Sequence, residues 1–225
     1  IILSNASAVP GLFADIFTQA FSPDAALYGT FIGVLIQGVK RASFSNEAGV
    51  GSAAIAHAAA KTDTPVREGL VAMIGPFIDT HIVCTMTSLA VLITGTHLDP
   101  ANAGKGAQIT AAAFSTLHPF FSVALTIAAV IFAYSTVISW SYYGEKGWQY
   151  LFGKNTIKIY RLLYVFAIVL GPVLTLGAVI DFSDMMLLSL AIPNIIGMFF
   201  ISGKVRAMAV DYVKDYKSGK FKTFK

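Results

Sequence analysis

Between two apolar segments lies Phe44–Gly51, FSNEAGVG, where Ser45, Asn46 and Glu47 stand beside the small residues Ala48, Gly49 and Gly51. Polar side chains and irregular backbone are expensive in lipid, so at membrane depth they persist only where they line a cavity or a pathway. Ser45 and Asn46 offer neutral oxygens, and Gly49 and Gly51 let backbone groups approach a solute without a side chain in the way. A helix broken here exposes N–H groups for a carboxylate and carbonyls for an ammonium or a sodium ion, a combination that suits a zwitterion. The plainer alternative is a solvent-exposed cytoplasmic loop whose membrane edge is marked by Lys40 and Arg41. Hydropathy alone leaves both readings standing.

Two carboxylates, Glu47 and Asp79, fall inside or near the apolar segments. Each needs a cation, a backbone donor or a proton at that depth. Each is either an ion or coupling site or a structural acid; for Glu47 the structural role is to cap a broken helix or pair with Lys40 or Arg41. Thr80 and Thr87 follow Asp79, and Ser135, Thr136 and Ser139 add hydroxyls further on, as oxygen ligands for a hard cation. A membrane-helix Thr more often bonds its own i−4 carbonyl, which is the competing expectation for Thr136. Trp140 lies one turn from Thr136 on the same helix face and could wall a small pocket, whereas Tyr142, Tyr143 and Trp148 read as an interfacial belt. Soft-metal ligands are scattered over His57, His81, His97, His118 and Cys84; only His81 and Cys84 share a face, and a closed zinc site needs about four ligands.

The positioning elements are membrane helices. Hydrophobic residues make up 56% of the 225 and charged residues 12%, with mean hydropathy +0.69; a soluble domain averages about 25% charged. The single cysteine excludes an intramolecular disulfide. Ile1–Val9 lacks the basic start of a signal peptide, and the chain opens at Ile1 in what reads as a loop, so a piece of a longer chain is expected.

Hydropathy divides the chain into a loop at 1–24 on the extracellular or periplasmic side, a five-span membrane domain at 25–203 and a basic cytoplasmic tail at 204–225. The spans are 25–60, 69–95, 120–142, 160–180 and 185–202. The last four have the roughly 20 apolar residues a crossing needs. A continuous helix over 25–60 would be about 54 Å long against a hydrocarbon core of about 30 Å, so it must break, tilt or leave the membrane. Of the 16 Lys and Arg residues, 15 fall in the two loops and tail assigned to one side; Lys105 stands alone on the other with Asp15, Asp24, Asp99, Asp181 and Asp184. The positive-inside rule then places the C-terminus in the cytoplasm. The basic tail reads as a contact with anionic lipid rather than with nucleic acid.

The runs GVKRASFSNEAGVGSAAIAHAAAKTDTPVREGL, PFIDTHIVCTMT and AYSTVISWSYYGEKGWQYLFG resemble the alanine or glycine:cation symporter family. The resemblance extends over nearly the whole chain but covers only the C-terminal half of such a carrier. It implies an all-α integral membrane protein of the leucine-transporter-type fold, with these spans as the second five-helix inverted repeat and 25–60 as its discontinuous first helix. It implies a substrate pocket touching Phe44, Ser45, Asn46 and Gly49, with Trp140 contacting or occluding the substrate. It also implies one cation site near Asp79 and Thr80, a second at the Ala133 carbonyl and Thr136 hydroxyl, and a coupling or gating role for Glu47.

The expected function is therefore sodium-coupled symport of alanine or glycine across a bacterial inner membrane by alternating access. Na+ is the coupling ion and no further cofactor is expected; the N-terminal half of the carrier and the bilayer are the expected partners. Two rivals differ in class. One is a membrane enzyme using Glu47, Asp79 and His81 as acid–base or metal groups. The other is an assembly subunit without transport of its own. The residues leave proton coupling through Glu47 or Asp79 open beside sodium.

Overall fold

The computed structural model describes residues 1–21, 31–102 and 106–221. In chain order the helices are α1 (Val9–Ala20), α2 (Phe31–Asn46), α3 (Ser52–His57), α4 (Pro65–Ala72), α5 (Ile74–Pro76), a π-helical stretch Phe77–Cys84, α6 (Thr85–Thr94), α7 (Gly106–Ser115), α8 (Pro119–Phe152), α9 (Ile157–Leu170) and α10 (Leu176–Lys217). Among the described residues four stretches are long and apolar enough to cross a membrane: Pro65–Thr94, Pro119–Phe152, Lys154–Val173 and Leu176–Lys217. Their large apolar side chains, among them Phe132, Phe166, Phe199 and Phe200, point outward. A helix apolar all round in this way suits lipid rather than water as its solvent.

Several expected boundaries shift. The stretch read as a loop at 1–24 contains α1, because Pro10 and Gly11 fall in its first turn, where a missing N–H costs nothing. Ser22–Asp24 and Ala25–Thr30, the start of the first expected span, lie outside the described residues, as do Lys105 and the tail's last four residues. The fourth expected span, 160–180, ends early: the chain turns at Gly171–Thr175, where Pro172 cannot continue the hydrogen-bond ladder. Asp181 and Asp184, read as residues of an external loop, are therefore helical and belong to α10. That helix then runs without a break through Lys204, Arg206 and Lys214 to Lys217, so the basic tail is helical for most of its length. At about 1.5 Å per residue α10 reaches about 63 Å, twice the hydrocarbon thickness.

The chain divides into two compact units. The first comprises 1–39 and 78–157. In it α7 packs on both α6 and α8, α1 packs on α6, and Leu89, Ala90 and Ala113 are buried. His118 caps α8, its ring accepting from the Phe120 N–H at 3.2 Å, and Pro119 opens the helix. Gly153 closes it, and the Trp148 indole N–H donates to the Thr156 hydroxyl at 2.9 Å across the corner.

The second unit comprises 40–77 and 158–225. Here α4 packs on α3 and on α10. The lower part of α10 brings Ala209, Tyr212, Val213 and Tyr216 against Val66 and Leu70 of α4. Arg67 lies over the Phe221 ring at 5.4 Å, a contact that ties the chain beyond α10 to the same helix.

Candidate functional site

In the second unit α2 stops at Asn46 and α3 starts at Ser52, with a five-residue turn between them. The sequence ends the helix there for local reasons. Asn46 Oδ1 accepts from the Ala48 N–H at 2.8 Å, an Asx turn that competes with helix continuation. The Val50 N–H donates to the Glu47 carbonyl at 3.1 Å. Glu47 itself is held at φ 56°, the only non-glycine residue with positive φ among those described, and Gly49 and Gly51 follow at 82° and 99°. Holding an L-residue in that region costs on the order of 1–3 kcal/mol, and such strain gathers where function needs a fixed irregular backbone.

Surrounding groups hold the turn. The Ser52 hydroxyl donates to Glu47 Oε2, and both Ser52 and Val50 are buried. The Asn194 side-chain amide of α10 donates to the Gly49 carbonyl at 2.9 Å. Six residues before the turn, Arg41 is ion-paired with Asp184, and Lys40 Nζ lies 4.0 Å from the same carboxylate. Arg41 also lies over the Phe44 ring at 5.6 Å. Beyond the turn, His57 Nδ1 is 2.6 Å from Glu68 Oε1.

These contacts correct two expectations. Charge bias places Lys40 and Arg41 on the cytoplasmic face and Asp184 on the opposite one, but the ion pair fixes all three at one level. The carboxylate partner of Arg41 is Asp184, while Glu47 bonds Ser52. The structural role considered for Glu47, pairing with the basic residues, therefore does not apply to Arg41.

Phe44, Ser45, Asn46, Glu47 and Gly49 thus lie on one helix end and its turn. Sequence reasoning missed three residues around them: Ser52, Asp184 and Asn194. A signal existed for the last two. Asp184, Leu187, Ala191 and Asn194 recur at helical spacing and form the least exposed stripe of that part of α10. Two polar residues on one stripe of a membrane helix need partners.

The remaining candidates belong to the first unit. Asp79 and Thr80 sit in the π-helical stretch just after Pro76. Such widened turns are rare and recur at functional sites. Ala133, Thr136 and Trp140 are on α8, where Thr136 Oγ1 donates to the Phe132 carbonyl at 2.9 Å. Thr87, Ser135 and Ser139 likewise bond carbonyls of their own helices. A hydroxyl that donates keeps two acceptor lone pairs, so this bond orients Thr136 without exhausting it as a cation ligand. Trp140 meets Tyr143 edge-on, with centroids 5.7 Å apart.

A family model described as the sodium:alanine symporter family matches residues 1–225. The sodium/alanine symporter AgcS of Methanococcus maripaludis is 45% identical over 207 residues, 91% of this chain and 46% of its own length. The probable sodium/glutamine symporter GlnT of Bacillus subtilis is 35% identical over all of this chain and 47% of itself. The amino-acid carrier protein AlsT of the same organism is 31% identical over all of this chain and 48% of itself. The chain spans about half the length of these curated relatives. They are named as symporters and carriers, which removes the reading of Glu47, Asp79 and His81 as the acid–base groups of an enzyme. With four membrane-length helices among its described residues and a match along its entire length, this chain is a multi-pass membrane protein and belongs to the sodium:alanine symporter family.

Proposed function

We propose that this chain is the C-terminal half of a carrier that moves a small neutral amino acid, alanine or glycine, together with sodium by alternating access. The observation that carries this reading is the strained turn Glu47–Gly51, which interrupts the helical path between α2 and α3 in a member of a symporter family. Relatives named for alanine and for glutamine share the chain's pattern at 45% and 35% identity, which supports neutral amino acids as the substrate class.

In this reading α2 and α3 are the two halves of the discontinuous first helix of a five-helix repeat of the leucine-transporter type. The pairs Arg41–Asp184 and Gly49–Asn194 ascend together along the two segments, so α2 and α10 run in the same direction. Parallel first and last spans require an odd number of crossings, which supports five rather than four or six. The C-terminus is cytoplasmic and the membrane is the bacterial inner membrane. On the second unit Phe44, Ser45, Asn46 and Gly49 contribute to the substrate pocket. The family resemblance gives Trp140, on the first unit, a substrate contact, Asp79 and Thr80 a place near one sodium, and the Ala133 carbonyl and Thr136 hydroxyl a place near a second. Glu47, locked to Ser52, sets the shape of the turn. Substrate and sodium both favour the same occluded state, and that shared preference is their coupling.

The test is uptake of radiolabelled alanine into proteoliposomes holding the full-length carrier. An inward sodium gradient is expected to drive accumulation, with glycine competing. Thr136→Val is expected to raise the sodium concentration for half-maximal uptake about 10-fold, the equivalent of about 1.4 kcal/mol for one lost oxygen ligand. Absence of gradient-driven accumulation with any small amino acid, in protein that is folded, would sink the symport reading.

A further inference from the structure

We propose that Asn194 is a positioning residue for the substrate turn, and that its side-chain amide sets the carrier's apparent affinity for amino acid; the affinity part rests on the symport reading above. Two independent contacts join it to the turn. Its Nδ2 donates to the Gly49 carbonyl at 2.9 Å. Its Cγ and Oδ1 lie so close to Gly51 that a Cβ there would come within 2.9 Å of both. The first contact satisfies a carbonyl that the turn leaves outside any helix ladder, and an unsatisfied carbonyl is costly at membrane depth. The second makes Asn194 a template against which Gly51 is seated.

The surroundings of Asn194 fit this role. Pro193 precedes it inside α10 and cannot donate to the Ser189 carbonyl, so α10 gives up a backbone bond at the level where the turn docks. Asn194 continues the stripe that carries Asp184 and Leu187, both buried, and Asp184 holds Arg41 in α2. The helix end and the turn are thereby gripped by one face of α10 at two points. Any shift of α10 along its axis moves the Gly49 carbonyl, whereas the hydroxyl of Ser189 bonds only within its own helix, to the Met185 carbonyl at 2.7 Å.

The experiment compares Asn194→Ala and Asn194→Asp in the full-length carrier, with Ser189→Ala as control. Asp is isosteric but, ionised, accepts only, so it keeps the packing and loses the donor. Two quantities are read: the alanine dependence of sodium-driven uptake, and amide hydrogen exchange of the peptide covering residues 44–55. Both Asn194 variants are expected to raise KM about 10-fold, with Vmax within about 2-fold of wild type, and to speed exchange in 44–55 by a similar factor, the effect of one lost bond to a shielded carbonyl. Ser189→Ala is expected to change neither. Should the Ala variant not fold, the isosteric Asp variant decides. Wild-type KM and exchange in Asn194→Asp, unchanged as the pH is raised far enough to ionise the carboxyl, would overturn the proposal, because packing alone would then suffice. A wild-type carrier without sodium-driven uptake would instead defeat the symport reading and the affinity role with it, while faster exchange in 44–55 would still establish Asn194 as the residue that holds the turn.

Discussion

Gly51→Ala is expected to bring sodium-driven uptake by the full-length carrier to background. At φ 99° an L-residue is strained whatever space surrounds it. The added Cβ also meets Asn194 Cγ and Oδ1 at 2.9 Å and Asn194 Cβ at 3.2 Å. The side chain cannot yield cheaply, since turning it away breaks its bond to the Gly49 carbonyl. Strain of about 1–3 kcal/mol and a lost hydrogen bond to a shielded acceptor of about 1–3 kcal/mol act together. Gly49→Ala separates the two terms: its φ is 82°, but nothing lies within 4 Å of the new Cβ. It is expected to retain measurable uptake and to lower thermal stability less than Gly51→Ala. Equal losses in the two variants would mean that the approach to Asn194 contributes nothing. Wild-type transport by Gly51→Ala would remove the turn from the substrate pathway.

Much of this architecture was legible because lipid simplifies the sequence code. Long apolar runs with almost no charge can only be membrane helices, so the stretches around 69–95 and 120–142 were readable from hydropathy alone. The interruption within 25–60 followed from a length argument, and the residues at the turn carry their own local reasons: an Asx-turn former at Asn46 and glycines where φ is positive. Other features were hidden for equally physical reasons. Asp181 and Asp184 looked like the tip of a loop because charges usually mark a membrane edge, whereas Pro172 sets the corner and Asp184 is neutralised by a partner 143 residues away. No local pattern encodes such a pairing. Asn194 escapes hydropathy for the converse reason: one neutral polar residue barely alters the mean of an apolar span, and only its helical spacing from Asp184 marks it. The roles proposed for Asp79, Thr80, Ala133 and Thr136 rest on resemblance, and the spacing of the Thr hydroxyls alone does not distinguish an ion ligand from a helix-bonded Thr.

The ion pair that escaped hydropathy should govern stability asymmetrically. The Asp184 side chain is 9% exposed, whereas Arg41 and Lys40 are 51% and 34% exposed. Arg41→Ala strands a shielded carboxylate, and breaking a buried pair from that side costs about 3–5 kcal/mol. Lys40, already 4.0 Å away, can close on Asp184 and recover part of that cost. Asp184→Asn leaves two cations whose long stems can carry them to water or to lipid headgroups, a loss nearer the 0–1 kcal/mol of an exposed pair. Thermal unfolding of the full-length carrier in detergent should therefore rank Arg41→Ala as less stable than Asp184→Asn. The double variant Arg41→Ala with Asp184→Ala should lie above Arg41→Ala alone, because removing the stranded charge removes its penalty and the two effects do not add. Equal stability of Arg41→Ala and wild type would mean that Asp184 reaches solvent and that the pair does not hold α2 on α10. The predicted ranking would instead make Arg41 and Asp184 the anchor that keeps the end of α2 in register with α10. It would also remove Lys40 and Arg41 from the cations that orient the chain. Orientation would then rest on Lys61, Arg67, the Lys146–Arg161 segment and the end of α10, all of which still fall on the side that the positive-inside rule assigns to the cytoplasm.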